Sequence, residues 1–175
     1  MISGKPRIAL TGFMGVGKSS VARHLTAITG LKRLDLDHFI EGRQGRKVAD
    51  IIDEGGIDAY REIETAALND AASEGVPILS LGGGTFILEA NRKALKEHGY
   101  STLWLEATFD HCWLNISFSK KDRPLGRDKE AARLLFEERQ KVYCLADWHF
   151  IVKPDFSSFE VARRIADEVL SLRSE

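Results

Sequence analysis

The sequence predicts an α/β protein in which a parallel β-sheet is covered by helices on both faces. Three observations carry this. Short apolar runs alternate along the chain with longer segments of helical periodicity, the pattern that builds parallel sheets. The first apolar run leads straight into a glycine-rich loop that opens a helical stretch. Gly30, Gly75 and Gly99 each follow a periodic stretch, where helices stop. In chain order, strands are expected at residues 7–10, 32–34, 77–81, 101–106 and 149–152, each a short run rich in aliphatic or aromatic residues. Helices are expected at 18–29, 39–42, 48–53, 57–73, 89–97, 109–117, 129–145 and 159–172, where apolar residues recur at helical spacing. The polar, charged break at 119–130, with Pro124 and Gly126 inside it, reads as a mobile loop.

A length of 175 residues suits a single domain spanning 1–175. With 43% hydrophobic and 29% charged residues, the composition is that of a folded chain and not a disordered one. The formal net charge of −1 gives no electrostatic drive toward nucleic acid or an anionic membrane. No apolar run approaches the ~20 residues of a membrane helix, and the start of the chain lacks the apolar core of a secretory signal. A cytoplasmic monomer without nucleic-acid or membrane partners is the expectation. Cys112 and Cys144 read as buried free thiols, and the five histidines lack zinc-ligand spacing. Trp104, Trp113 and Trp148 fall in elements where they are expected to pack in the core.

Gly12-Phe13-Met14-Gly15-Val16-Gly17-Lys18-Ser19 matches GxxxxGK[ST] between a strand and a helix. Such a loop turns successive backbone N–H groups onto phosphate oxygens, and the helix N-terminus adds positive potential. Gly15, Val16, Gly17, Lys18, Ser19 and Ser20 are therefore the expected nucleotide-binding residues. Lys18 reaches the β and γ phosphates, and the Ser19 hydroxyl joins the shell of a Mg²⁺ ion. A GTPase is set aside: Asp53-Glu54-Gly55-Gly56 spells DxxG at the end of a helix, and no Asn-Lys-x-Asp occurs.

Asp35-Leu36-Asp37 follows the second strand, and residues two apart on extended backbone face one way. One carboxylate could join the Mg²⁺ shell while the other takes a proton from an acceptor hydroxyl; alternatively the pair is a solvated turn capping the next helix. Gly82-Gly83-Gly84 ends the third strand, where open α/β sheets bind ligands. Glycines there let a ligand lie on backbone amides.

Together these motifs resemble the shikimate kinase family over nearly the whole chain. The P-loop, Asp35-Leu36-Asp37, Tyr60-Arg61-Glu62-Ile63-Glu64, the stretch ending in Gly82-Gly83-Gly84, Arg123-Pro124-Leu125, and Arg139 with Tyr143 carry the likeness. It implies a three-layer P-loop kinase fold, with a five-stranded sheet ordered 2-3-1-4-5 and a lid over 119–130. It also implies ATP-dependent phosphorylation of the shikimate 3-hydroxyl, with ATP as co-substrate and Mg²⁺ as cofactor. By the resemblance Asp35 and Ser19 hold the metal, Asp37 binds and activates the hydroxyl, and Lys18 and Arg123 act on the phosphoryl group. Arg61 and Arg139 grip the substrate carboxylate, with Gly82, Gly83 and Gly84 beneath the ring. An arginine fork matches a carboxylate bidentately, and Glu64, one turn after Arg61, can hold that guanidinium.

Several positions depart from the family pattern. Gly126 stands where a second leucine usually follows Leu125, and the stretch from Arg123 to Arg139 is a few residues short. Leu114 and Asn115 occupy the region that usually offers an arginine to adenine, so weak selection among purine nucleotides is expected. Tyr60 and Ile52 stand where aromatic side chains usually wall the pocket, and Gln140-Lys141 follows Arg139. Lys120 and Lys121 read as a solvated basic tip. Two alternatives stay open: a kinase for another polyol acid such as gluconate, and a catalytically weak nucleotide-binding regulatory module.

Overall fold

A computed structural model describes residues 6–170. Strands β1 (Ile8–Thr11), β2 (Arg33–Asp35), β3 (Ile78–Ser80), β4 (Ser101–Glu106) and β5 (Trp148–Ile151) form one parallel sheet ordered β2-β3-β1-β4-β5. Helices α1 (Lys18–Thr29), α2 (Leu36–Gln44), α3 (Val48–Ser73), α4 (Glu89–Glu97), α5 (Phe109–Phe118), α6 (Lys129–Tyr143) and α7 (Ser158–Ile165) connect and cover it. Parallel strands need such crossovers, and a sheet covered on both faces is apolar throughout. The central strand β1 is buried at all four positions. Its register sets Ile8 against Ile78 on one side and Ser101 on the other. The ends of β1, β2 and β3 therefore release their loops side by side.

Local chemistry sets the helix limits. Gly30 ends α1 in the left-handed region, at φ 71, with its N–H on the Thr26 carbonyl. The Asp128 carboxylate caps α6 by accepting from the Ala131 N–H (2.8 Å). At α7 the Ser157 hydroxyl and the Glu160 carboxylate cap each other's N–H groups, a reciprocal capping box. Among the described residues, no helix is long and apolar enough to cross a membrane.

The helix expected at 39–42 is longer and starts earlier, at Leu36. Asp35 is its N-cap, its carboxylate accepting from the His38 N–H (3.2 Å). Extended backbone thus stops at Asp35, and Asp37 lies in the first helical turn; period-two alternation does not relate the two carboxylates. The helices expected at 48–53 and 57–73 are the two arms of α3, broken at Gly56 (φ 84, ψ 166). The last helix widens to π geometry over Ala166–Leu170. Residues 171–172 of that expected helix, and the first five residues of the expected leaderless start, lie outside the described residues.

Cys112 is buried but Cys144 is exposed, at the C-terminal end of α6, with its thiol on the Lys141 carbonyl (3.1 Å). Trp148 is 37% exposed, because β5 is the edge strand and only Phe150 on it turns fully inward. Trp104 packs against Tyr143, as a core residue should. The Phe13 ring of the P-loop meets Phe136 of α6 edge-on (centroids 5.1 Å) and Phe109 of α5 (6.5 Å). Burying a phenylalanine stabilises a fold by about 1.5–3 kcal/mol. The same burial ties the P-loop to the helix that carries Arg139, whose guanidinium lies 5.9 Å from the Phe13 centroid.

Candidate active site

A cavity of about 540 Å³ opens over the C-terminal ends of β1, β2 and β3. Lys18, Arg61, Lys121, Arg123 and Arg139 line it against Asp35, Asp37 and Glu64. With Asp122 also on the lining, five cations face four anions, and the positive excess favours an anionic ligand.

The P-loop runs between β1 and α1. Gly15 has φ 82, and a Cβ there would fall 2.5 Å from the Cys112 carbonyl oxygen, so no side chain fits between loop and α5. The Asn115 amide donates to the Gly15 carbonyl (2.8 Å) and holds this approach. Lys18 is buried, its ammonium donating to the carbonyls of Gly12 (2.7 Å) and Phe13 (3.0 Å). Burial pulls its pKa down to about 8, an effect that the Asp37 charge opposes.

Ser19 Oγ lies 2.5 Å from Asp35 Oδ2 at the rim of this cradle. A hydroxyl and a carboxylate are hard oxygen donors, and Mg²⁺ commonly takes one or two protein oxygens while keeping water on its other positions. The pair suits that ion. Asp35 both caps α2 and meets Ser19, so the capping contact does not take its carboxylate away from the phosphate cradle.

Asp37 stands between the phosphate cradle and the arginines. Its Oδ1 accepts from the Tyr60 hydroxyl (3.4 Å), and its Oδ2 pairs with Lys121 Nζ (2.7 Å). Beyond it, Arg61 donates to Glu64 Oε2 (2.5 Å), and the Thr85 hydroxyl donates to Glu64 Oε1 (2.7 Å). Glu64 is 1% exposed, a buried charge that needs both partners. Arg139 is almost fully buried, which holds its pKa below the ordinary arginine value; Tyr143 beside it opposes the shift. The Tyr143 hydroxyl donates to the Gly83 carbonyl (2.5 Å) and locks the glycine triplet onto α6.

Gly82 to Gly84 make room chiefly for the side chains around them. A Cβ on Gly84 would overlap the Arg61 guanidinium, and one on Gly83 would sit 3.2 Å from Arg139 Nη1. The triplet thus lets both arginines reach the same floor.

The segment after α5 lies over the opening. Arg123 is half-buried, which lowers its pKa against the pull of Asp37. Pro124–Gly126 forms one 3₁₀ turn. Gly126 is buried there, where a Cβ would come 2.9 Å from Met14 Sδ. Arg127 forks onto Asp53 of α3 (2.9 and 2.7 Å) and also pairs with Asp122 (2.5 Å).

Gly15 to Ser20, Asp35, Asp37, Arg61, Gly82 to Gly84, Arg123 and Arg139 all line this one cavity. Tyr60 and Ile52 wall it too, whereas Leu114 does not and is 57% exposed. Sequence reasoning missed three contributors. Thr85 directly follows the triplet and buttresses Glu64; a buried threonine leaves no signal of its own. Asn115 holds the P-loop across 100 residues of sequence. Lys121 is no solvated tip but pairs with Asp37 across 84 residues, a contact that no local pattern reveals.

Comparison with known proteins agrees with this geometry. Residues 14–170 match the family model for shikimate kinase. The shikimate kinase of Streptococcus thermophilus is 36% identical over 138 residues, covering 77% of this chain and 82% of the relative. That of Salinibacter ruber is 34% identical over 180 aligned positions, covering 97% of this chain and 86% of the relative. A solved structure, the shikimate kinase of Acinetobacter baumannii in complex with shikimate, superposes with a TM-score of 0.88 at 29% identity, covering 97% of this chain and 96% of that one. With the P-loop, the paired aspartates, the glycine triplet and the facing arginines gathered over one sheet edge, and the match spanning nearly every element that supplies them, this chain belongs to the shikimate kinase family.

Proposed function

We propose that the chain transfers the γ-phosphoryl group of ATP to the 3-hydroxyl of shikimate, in the route to aromatic amino acids. The observation that carries the reading is the placement of Arg61 and Arg139 over one glycine floor, with Asp37 between them and the P-loop. Arg61 and Arg139 hold the substrate carboxylate, which points the 3-hydroxyl at Asp37. Asp37 takes the hydroxyl proton as oxygen attacks phosphorus, and the bond to the β-phosphate oxygen breaks with its electron pair leaving on ADP. Lys18 and Arg123 offset charge on the transferring group, and the segment 119–130 acts as a lid that keeps water out. Ser19 and Asp35 would hold Mg²⁺, which would supply neutralisation of phosphate charge.

The test is kinetic. A hydrogen bond to a charged group contributes about 1.5–3 kcal/mol, and lysine keeps the charge of arginine without its fork. Arg61→Lys and Arg139→Lys should each raise the KM for shikimate at least about tenfold, with the KM for ATP unchanged. A change in the ATP constant alone would place these arginines on the wrong substrate.

The base end of the cavity is lined by His111, Asn115, Val152 and Phe156, with Asn115 committed to the P-loop. A guanidinium stacked on the purine is worth roughly 0.5–2 kcal/mol, about threefold to thirtyfold in affinity. Without one, GTP should support turnover at an appreciable fraction of the ATP rate. Strict selection of ATP in a nucleotide panel would refute this, and would mean that the His111–Phe156 wall reads the base by itself.

A further inference from the structure

Lys121 reaches Asp37 from a turn tied on both sides. Its N–H donates to the Ser119 hydroxyl (3.1 Å), and its carbonyl accepts from Arg123 (3.2 Å). The next residue, Asp122, is anchored through Arg127 to Asp53. The turn so braced sets the ammonium 2.7 Å from Asp37 Oδ2, while Tyr60 addresses Oδ1. Asp37 is also the leading charge partner of Lys18 and acts on Arg123, so its carboxylate faces the cations that hold phosphate. A base in that position can serve any hydroxyl that enters, including water.

We propose that Lys121 is a specificity-determining residue that selects against water as the phosphoryl acceptor, by covering Asp37 Oδ2 until a bound hydroxy acid displaces it. This rests on the reading of Asp37 as the group that takes the acceptor proton. The suppressed reaction differs from transfer only in its acceptor. A water O–H bond would break with its proton going to Asp37, a water oxygen–phosphorus bond would form, and the bond to ADP would break with its electrons on ADP.

The cover is weak enough to be removed. Lys121 is 48% exposed and Asp37 22%, and ion pairs so placed contribute little. An acceptor whose carboxylate is gripped by Arg61 and Arg139 presents its hydroxyl to Asp37 at high effective concentration. Water has no such anchor and meets the ammonium unaided.

The experiment measures ADP release from Mg-ATP with and without shikimate in the full chain, for Lys121→Ala, Lys121→Arg, Asp37→Asn and the double variant Lys121→Ala/Asp37→Asn. Lys121→Ala should raise shikimate-independent hydrolysis at least about tenfold relative to transfer, a discrimination within the reach of one site contact. Lys121→Arg keeps a cation over Oδ2 and should hold hydrolysis near the parent level. The excess should vanish in the double variant. Damage to the fold or loss of a merely structural contact would lower both reactions. If hydrolysis stays at the parent level or falls with transfer in Lys121→Ala, while Asp37→Asn still abolishes transfer, the guard is refuted and the reading of Asp37 stands. If Asp37→Asn transfers phosphate normally, that reading fails and the guard with it.

Discussion

Lys18→Met is expected to lower phosphoryl transfer by about three orders of magnitude, because a preorganised cation on the transferring charge is among the largest single contributions to such a reaction. The same change should stabilise the protein in a pH-dependent way. The ammonium is 8% exposed, and burial brings its pKa from 10.5 down to about 8. Between those values the folded chain binds fewer protons at this site than the unfolded chain, so this group's contribution to stability rises with pH from about 8 to 10.5. Below pH 8 the buried charge exacts its full cost, about 3 kcal/mol for a shift of this size. Methionine has a similar length and no charge. Its stability relative to the parent should therefore be greatest near pH 7 and diminish by about 3 kcal/mol toward pH 10. Denaturant unfolding of both proteins at the two pH values checks this; a difference that does not change with pH would show that the two carbonyls on Lys18 compensate its burial.

The phosphate side was legible because its determinants are local. Gly12 to Ser19 form one turn, and the conformation, the donors and the helix N-terminus all come from eight consecutive residues. The strands around it were placed to within about two residues for the same reason, since short apolar runs specify buried parallel strands. Asp35 and Asp37 line one cavity, but not through extended alternation, because a side-chain cap at Asp35 starts the helix at Leu36, three residues sooner than apolar periodicity suggests. Neither Arg61 nor Arg139 differs in sequence from a solvated arginine; only the family register singled them out. Their burial depends on what other segments bring, namely Glu64 and the glycine floor for one and Phe13 with Tyr143 for the other. Lys121 was missed because its partner lies on α2, and only the brace of Ser119, Asp122, Arg127 and Asp53 aims it there. Cys144 and Trp148 are exposed for a related reason: periodicity says which residues could be buried, but Cys144 stands at the end of α6 and Trp148 on the edge strand β5, where nothing among the described residues packs over them.

Asp37→Asn is expected to reduce kcat by about 10²- to 10⁴-fold, the usual worth of a positioned general base, with the KM for ATP and the Mg²⁺ requirement unchanged. Asparagine keeps the shape and can still accept from Tyr60, so substrate placement should survive while proton acceptance does not. Asp35→Asn should behave differently. Its partner is the Ser19 hydroxyl and its place is the rim of the P-loop, so the weaker amide oxygen should raise the Mg²⁺ concentration needed for half-maximal rate and leave kcat at saturating Mg²⁺ comparatively intact. The structure makes the contrast sharp because the two carboxylates touch different groups: Ser19 and the His38 N–H for one, Tyr60 and Lys121 for the other. Steady-state rates across a Mg²⁺ titration for both variants decide the matter. If the two titrations coincide, the carboxylates share one role. If only Asp35→Asn loses kcat at saturating metal, the proton acceptor is Asp35, and the ion pair on Asp37 is part of the lid and not of the chemistry.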